Sequence, residues 1–524
     1  MKTSFLILIY LFYFSIADGD DRLVFLYTHF RHGARAPMDI KNDYTDLLGE
    51  KWTNPGELTG MGQRMHYLLG LRNRMRYIEK EKFLSEKFDA HEILIYSSNL
   101  NRTMLSASSQ LQGLYPQSSK KGEILTEAQE KAAVPQVDVD CDEINNEIKA
   151  LNKSALPYYM TLAPVRMVND NDKKMNVYDL KDCTEERDQV KKENRETIPE
   201  ALNFTQEFNE KYGKTLKEYM KTQKDEYNLL DIDEFCDAFL SSYTDQRELS
   251  NFKKTGIDFD EMNDYCYEYF RICYLYQYHG DKEKKLAHID SSKLMTELMF
   301  HMKRRLDADM TVEDEDENYK DYSYPKWLMI SGHDSTTSAD EIFMLNALGL
   351  NISELYIFPK YAAQLALEVR TNKEPTKAKS YADYYVIGYF NDEQLFNTTA
   401  DNFIEKIEGE IWSQDEIDEF CGFEGANSNT DTKNNSDGSN SDKNNTSDNT
   451  SNNTSNSTDN EDGTVKKKDK AKKAYKVLMI VFICLAAILL AITMCLACKL
   501  CRRSPAAPID PNFTINNTNQ NMKI

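Results

Sequence analysis

The sequence predicts an α/β fold: a mostly parallel sheet with helices on both faces, plus a smaller helical, disulfide-stapled insertion (cap) domain. Three observations carry this. The runs "RLVFLYT" (22–28), "EILIYSS" (92–98) and "KWLMISGHD" (326–334) have the unbroken apolar character of strands buried on both faces. Helical stretches lie between them, and strands alternating with helices build a sheet covered on both sides. The stretch from about 120 to 285 has no clear strand, many Tyr and charged residues, and most of the cysteines of the body.

In chain order, Lys2, the apolar run Phe5 to Ile16 and the small residues Ser15 and Ala17 make residues 1–17 a signal peptide. After the first strand, "ELTGMGQRMHYLLGLRNRMR" (57–76) places Leu58, Met61, Met65, Leu68 and Leu69 at helical spacing. His66 on this helix reads as a core histidine. The strand at 92–98 is followed by a helix over 102–115, and the insertion by another over 291–306. "YAAQLALEV" (361–369) and "DYYVIGYFN" (383–391) read as antiparallel edge strands. The folded body is thus expected over 18–425. From Ala426 to Asn460 the composition turns to Asn, Ser, Thr and Asp without apolar periodicity, which cannot form a core. Residues 426–476 are read as a stalk with a Lys-rich end.

Val477 to Cys498 is 22 residues without a charge, enough for a spanning helix, leaving 499–524 as a cytoplasmic tail. Lysines 466, 467, 468, 470, 472, 473 and 476 precede this run, and the positive-inside rule alone would put them in the cytosol. The signal peptide decides otherwise, because it commits the body to translocation first. The expectation is a single-pass type I membrane protein whose body is lumenal or extracellular, at lysosome or cell surface. Sequons agree: Asn434, Asn444, Asn445, Asn449, Asn452, Asn453 and Asn456 in the stalk, and Asn152, Asn203, Asn351 and Asn397 in the body. Asn101 also fits but adjoins the candidate site. Cys141, Cys183, Cys236, Cys266, Cys273 and Cys421 allow up to three disulfides in an oxidising compartment, with pairing left open. Cys495, Cys498 and Cys501 read either as palmitoylation sites or as small apolar residues.

The net charge of −22 excludes nucleic acid as a partner, since a phosphate backbone needs a basic surface. "YGKT" (212–215) lacks the first glycine of a phosphate loop, and "DFDEMND" (258–264) lacks the glycine and terminal glutamate of a calcium loop.

Two motifs stand at the carboxyl ends of predicted strands, where ligands bind in open α/β sheets. In "RHGARAP" (31–37), Arg31 and Arg35 flank His32, and fixed cations make that imidazole hard to protonate. In "SGHDST" (331–336), His333 and Asp334 follow a buried strand. "RHGARAP" resembles the signature of the histidine phosphatase superfamily, in its acid phosphatase branch. "LTGMGQRMHYLLG" (58–70), "SSNLNRTMLSASSQLQGLYP" (97–116) with Arg102, "SGHDST", and "FPKYAAQLALEV" (358–369) are similar to further motifs of that branch, in order. The resemblance spans about 22 to 392, is weak in the insertion and stops before the stalk. Asn101 departs from the aspartate more usual before the arginine.

The resemblance implies an acid phosphatase acting on small phosphate monoesters without metal or cofactor. His32 would attack phosphorus and form a phosphohistidine. Arg31, Arg35, Arg102 and His333 would hold the phosphate oxygens as four cations. One such charge pair at about 4 Å contributes about 4 kcal/mol at an effective dielectric of 20. Gly33 would let the backbone approach the phosphate, and Asp334 would protonate the leaving alkoxide. Homodimers are common in the family. Three alternatives stay open: a phytase-like or inositol polyphosphate phosphatase, a catalytically silent ectodomain of the same fold, and a metal-binding role for His333-Asp334.

Overall fold

The computed structural model describes residues 21–39, 48, 52–133, 142–168, 183, 185–190, 199–220, 226–279, 285–311 and 324–422. The signal peptide, stalk, spanning segment, tail and Cys141 lie outside the described residues. Among the described residues no helix is long and apolar enough to cross a membrane.

Seven strands form one mixed sheet: β1 (Arg22–Arg31), β2 (Ile93–Ser98), β3 (Arg166–Val168), β4 (Trp327–Gly332), β5 (Gln364–Thr371), β6 (Tyr385–Phe390) and β7 (Glu393–Thr399), in the order β3-β2-β4-β1-β5-β6-β7. Pairing is parallel from β3 through β1 and antiparallel from β1 through β7. The parallel side carries the unbroken apolar runs. β4 is buried along its whole length, and β1 at every position but its first.

Three differences from expectation have physical causes. β5 and β6 each have a neighbour on both sides, so the antiparallel edge is β7. Its sequence "EQLFNTT" is mostly polar because the strand buries only Phe396. β3 is a short strand inside the insertion, held by pairing with β2 rather than by a pattern of its own. The third concerns the helix over 57–76.

The main helices are α1 (Gly60–Asn73), α2 (Asn101–Leu114), α3 (Pro199–Phe208), α4 (Leu229–Thr244), α5 (Phe259–His279), α6 (Lys285–Thr311), α7 (Asp334–Ala347), α8 (Ala400–Glu410) and α9 (Gln414–Phe420). α1 buries Gly62, His66, Gly70 and Asn73, while Leu68 of the expected apolar stripe is 55% exposed. The helix meets α2 backbone to backbone: a Cβ on Gly70 would lie 1.9 Å from the Gln110 carbonyl oxygen. Small residues rather than leucines make that face. "YGKT" runs through helical turns, Asn209–Gly213 into Lys214–Met220, and forms no phosphate loop.

One apolar core lies between the sheet and α6, α7 and α8. A second, aromatic-rich core joins α3, α4 and the first half of α5, which continues into the main core through Leu275 and Tyr278. Disulfides link Cys183 to Cys421 and Cys236 to Cys266, with Cα separations of 4.9 Å and 5.2 Å, and Cys273 is buried.

Candidate active site

Arg31 on β1 pairs in register with Gly332 on β4, so the two motifs leave the sheet side by side. The His32 N–H donates to the Gly332 carbonyl at 3.0 Å, and the His32 carbonyl accepts from Ala362 N–H at 3.1 Å. The His32 and His333 rings lie 5.6 Å apart. His32 Nδ1 is 2.9 Å from the Gly33 carbonyl oxygen. A carbonyl only accepts, so Nδ1 carries the proton and Nε2 keeps a bare lone pair. Burial first, then the charges of Arg31, Arg35 and Arg102, hold this imidazole well below its ordinary pKa. Both causes oppose protonation of the ring.

The structure gives Gly33 a packing reason as well. A Cβ there would sit 2.4 Å from the Gly62 carbonyl oxygen, so the residue is small to admit the start of α1. Its N–H donates to Ser106 Oγ on α2 at 3.1 Å.

The three arginines are each held differently. Arg31 donates to the Pro359 carbonyl at 2.9 Å and to Asp334 Oδ2 at 2.7 Å, and its guanidinium stacks 4.3 Å from the Tyr361 ring centre. Arg35 donates to Asp237 Oδ1 at 2.8 Å and Oδ2 at 3.3 Å. Burial opposes the charge on Arg35, but Asp237 holds its pKa above the ordinary value. The Nε atoms of Arg31 and Arg35 are buried without a hydrogen-bond partner. Arg102, in the first turn of α2, lies 3.5 Å from His333 Nδ1.

His333 Nε2 lies 2.8 Å from Ser98 Oγ. A guanidinium only donates, so Nδ1 faces Arg102 as an acceptor and Nε2–H donates to Ser98. Burial first, then Arg102, hold His333 well below its ordinary pKa, outweighing Asp334. Burial and Arg102 thus oppose a positive charge on His333 in the ligand-free site, against the expectation of a fourth cation there. Asp334 opens α7, where the helix dipole favours an anion. Burial alone would raise its carboxyl, but Arg31 and Arg35 outweigh it and hold it below the usual carboxylate range. The Ser335 N–H adds a bond to Oδ1 at 2.8 Å.

All six residues singled out from the sequence, Arg31, His32, Arg35, Arg102, His333 and Asp334, line one cavity of about 380 Å³. Tyr267, Phe270 and Tyr274 of α5, Asp237 of α4 and Tyr361 are among the residues that share its wall. Sequence reasoning missed Asp237, which has no local motif and reaches Arg35 only through the packing of α4. It also missed Tyr361, although "FPKYAAQ" had been singled out as a segment.

A family model described as "Histidine phosphatase superfamily (branch 2)" matches residues 22–386. The lysosomal acid phosphatase of Xenopus laevis is 39% identical over 89 residues, 17% of this chain and 19% of that protein. The prostatic acid phosphatase of Homo sapiens is 38% identical over 96 residues, 18% of this chain and 24% of that protein. The chain thus matches about a fifth of the length of these relatives. Among solved structures, the apo form of Hafnia alvei phytase has a TM-score of 0.49 at 12% identity, covering 77% of this chain and 99% of that one.

Proposed function

The chain belongs to the histidine phosphatase superfamily, branch 2, and on that premise we propose that it is an acid phosphatase hydrolysing small phosphate monoesters through a phosphohistidine on His32. One observation carries the reading: His32 Nδ1 is tied to the Gly33 carbonyl, leaving Nε2 bare in a cavity lined by Arg31, Arg35 and Arg102.

The phosphate takes the donors of Arg31, Arg35 and Arg102, which compensate charge on the equatorial oxygens. Nε2 of His32 forms a bond to phosphorus as the ester oxygen leaves with its electron pair. Asp334 gives that oxygen a proton and becomes a carboxylate. A water then attacks phosphorus, Asp334 takes back a proton, and the P–N bond breaks to release phosphate.

The depressed Asp334 pKa raises the question of where the first proton comes from. An ester monoanion brings it, since a phosphate monoester holds one proton below a pKa of about 6. Bound phosphate also draws Arg31 away from Asp334 and adds negative charge, both of which raise the carboxyl.

The full chain should hydrolyse p-nitrophenyl phosphate at acidic pH after exhaustive EDTA treatment, and His32→Ala should abolish turnover. Loss of activity restored by zinc, magnesium or iron would instead support the metal-pair reading of His333-Asp334. The apolar runs Phe5 to Ile16 and Val477 to Cys498 and the sequons support a further part of the proposal, a membrane-anchored, glycosylated enzyme with its body outside the cytosol. Resistance to carbonate extraction, together with a mass shift on deglycosylation, tests that part.

A further inference from the structure

Beneath the catalytic tripeptide Gly332-His333-Asp334 lies a buried polar chain that the chemistry above does not use. His29, on the same face of β1 as Arg31, is fully buried. Its Nδ1–H donates to Asp340 Oδ2 at 2.6 Å, and Asp340, on α7, is 1% exposed. The Tyr27 hydroxyl donates to the same oxygen at 3.1 Å. Burial first, then the Asp340 charge, push the Tyr27 hydroxyl well above its ordinary pKa, so it stays a donor. On its other side the His29 ring presents Nε2 to Thr336 Oγ1 at 3.2 Å, and Thr336 Oγ1 accepts the His333 N–H at 3.0 Å.

The fit extends to Gly332. A Cβ there would meet His29 Nε2 at 2.4 Å and Thr336 Oγ1 at 2.7 Å. The strand end is bare so that the imidazole can pass beneath it and reach Thr336. A buried ion pair is weak evidence for stability, because apolar side chains of similar volume often serve as well or better. This pair is joined instead to the backbone amide of one proposed catalytic residue, at the start of the helix that carries the other.

We propose that His29 and Asp340 are positioning residues: through Thr336 they fix His333 and Asp334 against His32. The inference rests on the phosphatase reading, and its test separates the two. Displacing a catalytic group by about 1 Å can cost about 100-fold in rate. The amide nitrogen of asparagine can stand in for the His Nδ1–H donor, and the amide oxygen of glutamine for the accepting Nε2. His29→Asn therefore keeps the Asp340 bond and loses Thr336. His29→Gln keeps Thr336 and loses Asp340.

The experiment compares both variants, and His29→Leu/Asp340→Leu, with the wild-type full chain in steady-state hydrolysis and thermal melting. His29→Asn should lower kcat about 10-fold or more with KM within about twofold. The loss should be larger for glycerol phosphate, whose leaving group needs Asp334, than for p-nitrophenyl phosphate. His29→Gln should restore much of kcat. The double variant, with no unpaired buried charge, should melt near the wild type yet show the same kcat loss. If the folded double variant keeps wild-type kcat on both substrates, the pair is only structural and the inference is overturned. If the wild type itself has no phosphatase activity, the underlying reading fails instead.

Discussion

Asp334 must carry a proton to give one away, yet in the free site it is an ion-paired carboxylate held low by Arg31 and Arg35. The sign follows directly. A depressed carboxyl is ionised at and above the usual carboxylate range, so in the proposed mechanism the ester monoanion rather than the free enzyme supplies the proton. kcat/KM should fall as pH rises through about 6, where the ester loses its proton, and this limb should move with the second pKa of the substrate. The Asp334 carboxyl should titrate higher with vanadate or phosphate bound than in the free protein, as carboxyl NMR would show; an unchanged value would mean that Arg31 does not transfer to the ligand. Asp334→Asn keeps the shape but cannot donate. It should slow glycerol phosphate hydrolysis by about 10²–10⁴-fold and p-nitrophenyl phosphate hydrolysis far less. Equal losses on the two esters would assign Asp334 to phosphate binding. At this scale the sequence was most informative. Arg31, His32 and Arg35 sit within one short segment, and the opposition to a charge on His32 followed from its neighbours. The same opposition at His333 did not, because it depends on burial and on Arg102 arriving from another helix.

The pairing of α1 and α2 determines whether Arg102 reaches the phosphate. The sequence located both helices within a few residues but assigned α1 the wrong buried face. Periodicity of leucine and methionine counts apolar atoms, whereas this contact needs small residues so that backbones can touch. His66 sits inside the contact, with its Nδ1 3.1 Å from Gln110 Oε1. Burial pushes its pKa from 6.5 down to about 4. The unfolded chain therefore binds this proton more readily than the folded one. The stability tied to a neutral His66 is complete above pH 6.5 and is lost as the pH falls towards 4, about 3 kcal/mol in all. Urea titrations between pH 7 and pH 4 should show that decline, and His66→Gln should flatten it. An identical slope in the variant would place the acid sensitivity elsewhere.

Across the whole described body, the site joins two cores: the sheet supplies His32, Arg31, His333 and Asp334, while α4 of the aromatic-rich core supplies the Asp237 carboxylate that grips Arg35. Asp237→Ala should let Arg35 swing from the phosphate and lower kcat/KM about tenfold, measured on the refolded, disulfide-intact chain. An unchanged kcat/KM would show that the Ala36 carbonyl and the ligand suffice to hold Arg35. The Asp237 contact was not legible in the sequence, since the insertion has no motif and its contacts link residues far apart. The pairings Cys183–Cys421 and Cys236–Cys266 were illegible for the same reason. The parallel half of the sheet was legible because strands buried on both faces must be apolar throughout, while β3 and β7 owe their form to neighbours.

The central claim is the covalent bond between His32 Nε2 and phosphorus. Rapid quenching of the full chain during turnover of a labelled aryl phosphate, followed by peptide mapping under alkaline conditions, reads it directly. The account predicts one phosphoryl group per chain, labile to acid and carried by the peptide containing His32, and none in His32→Ala. Phosphate on any other residue, or steady turnover by His32→Ala, would contradict it.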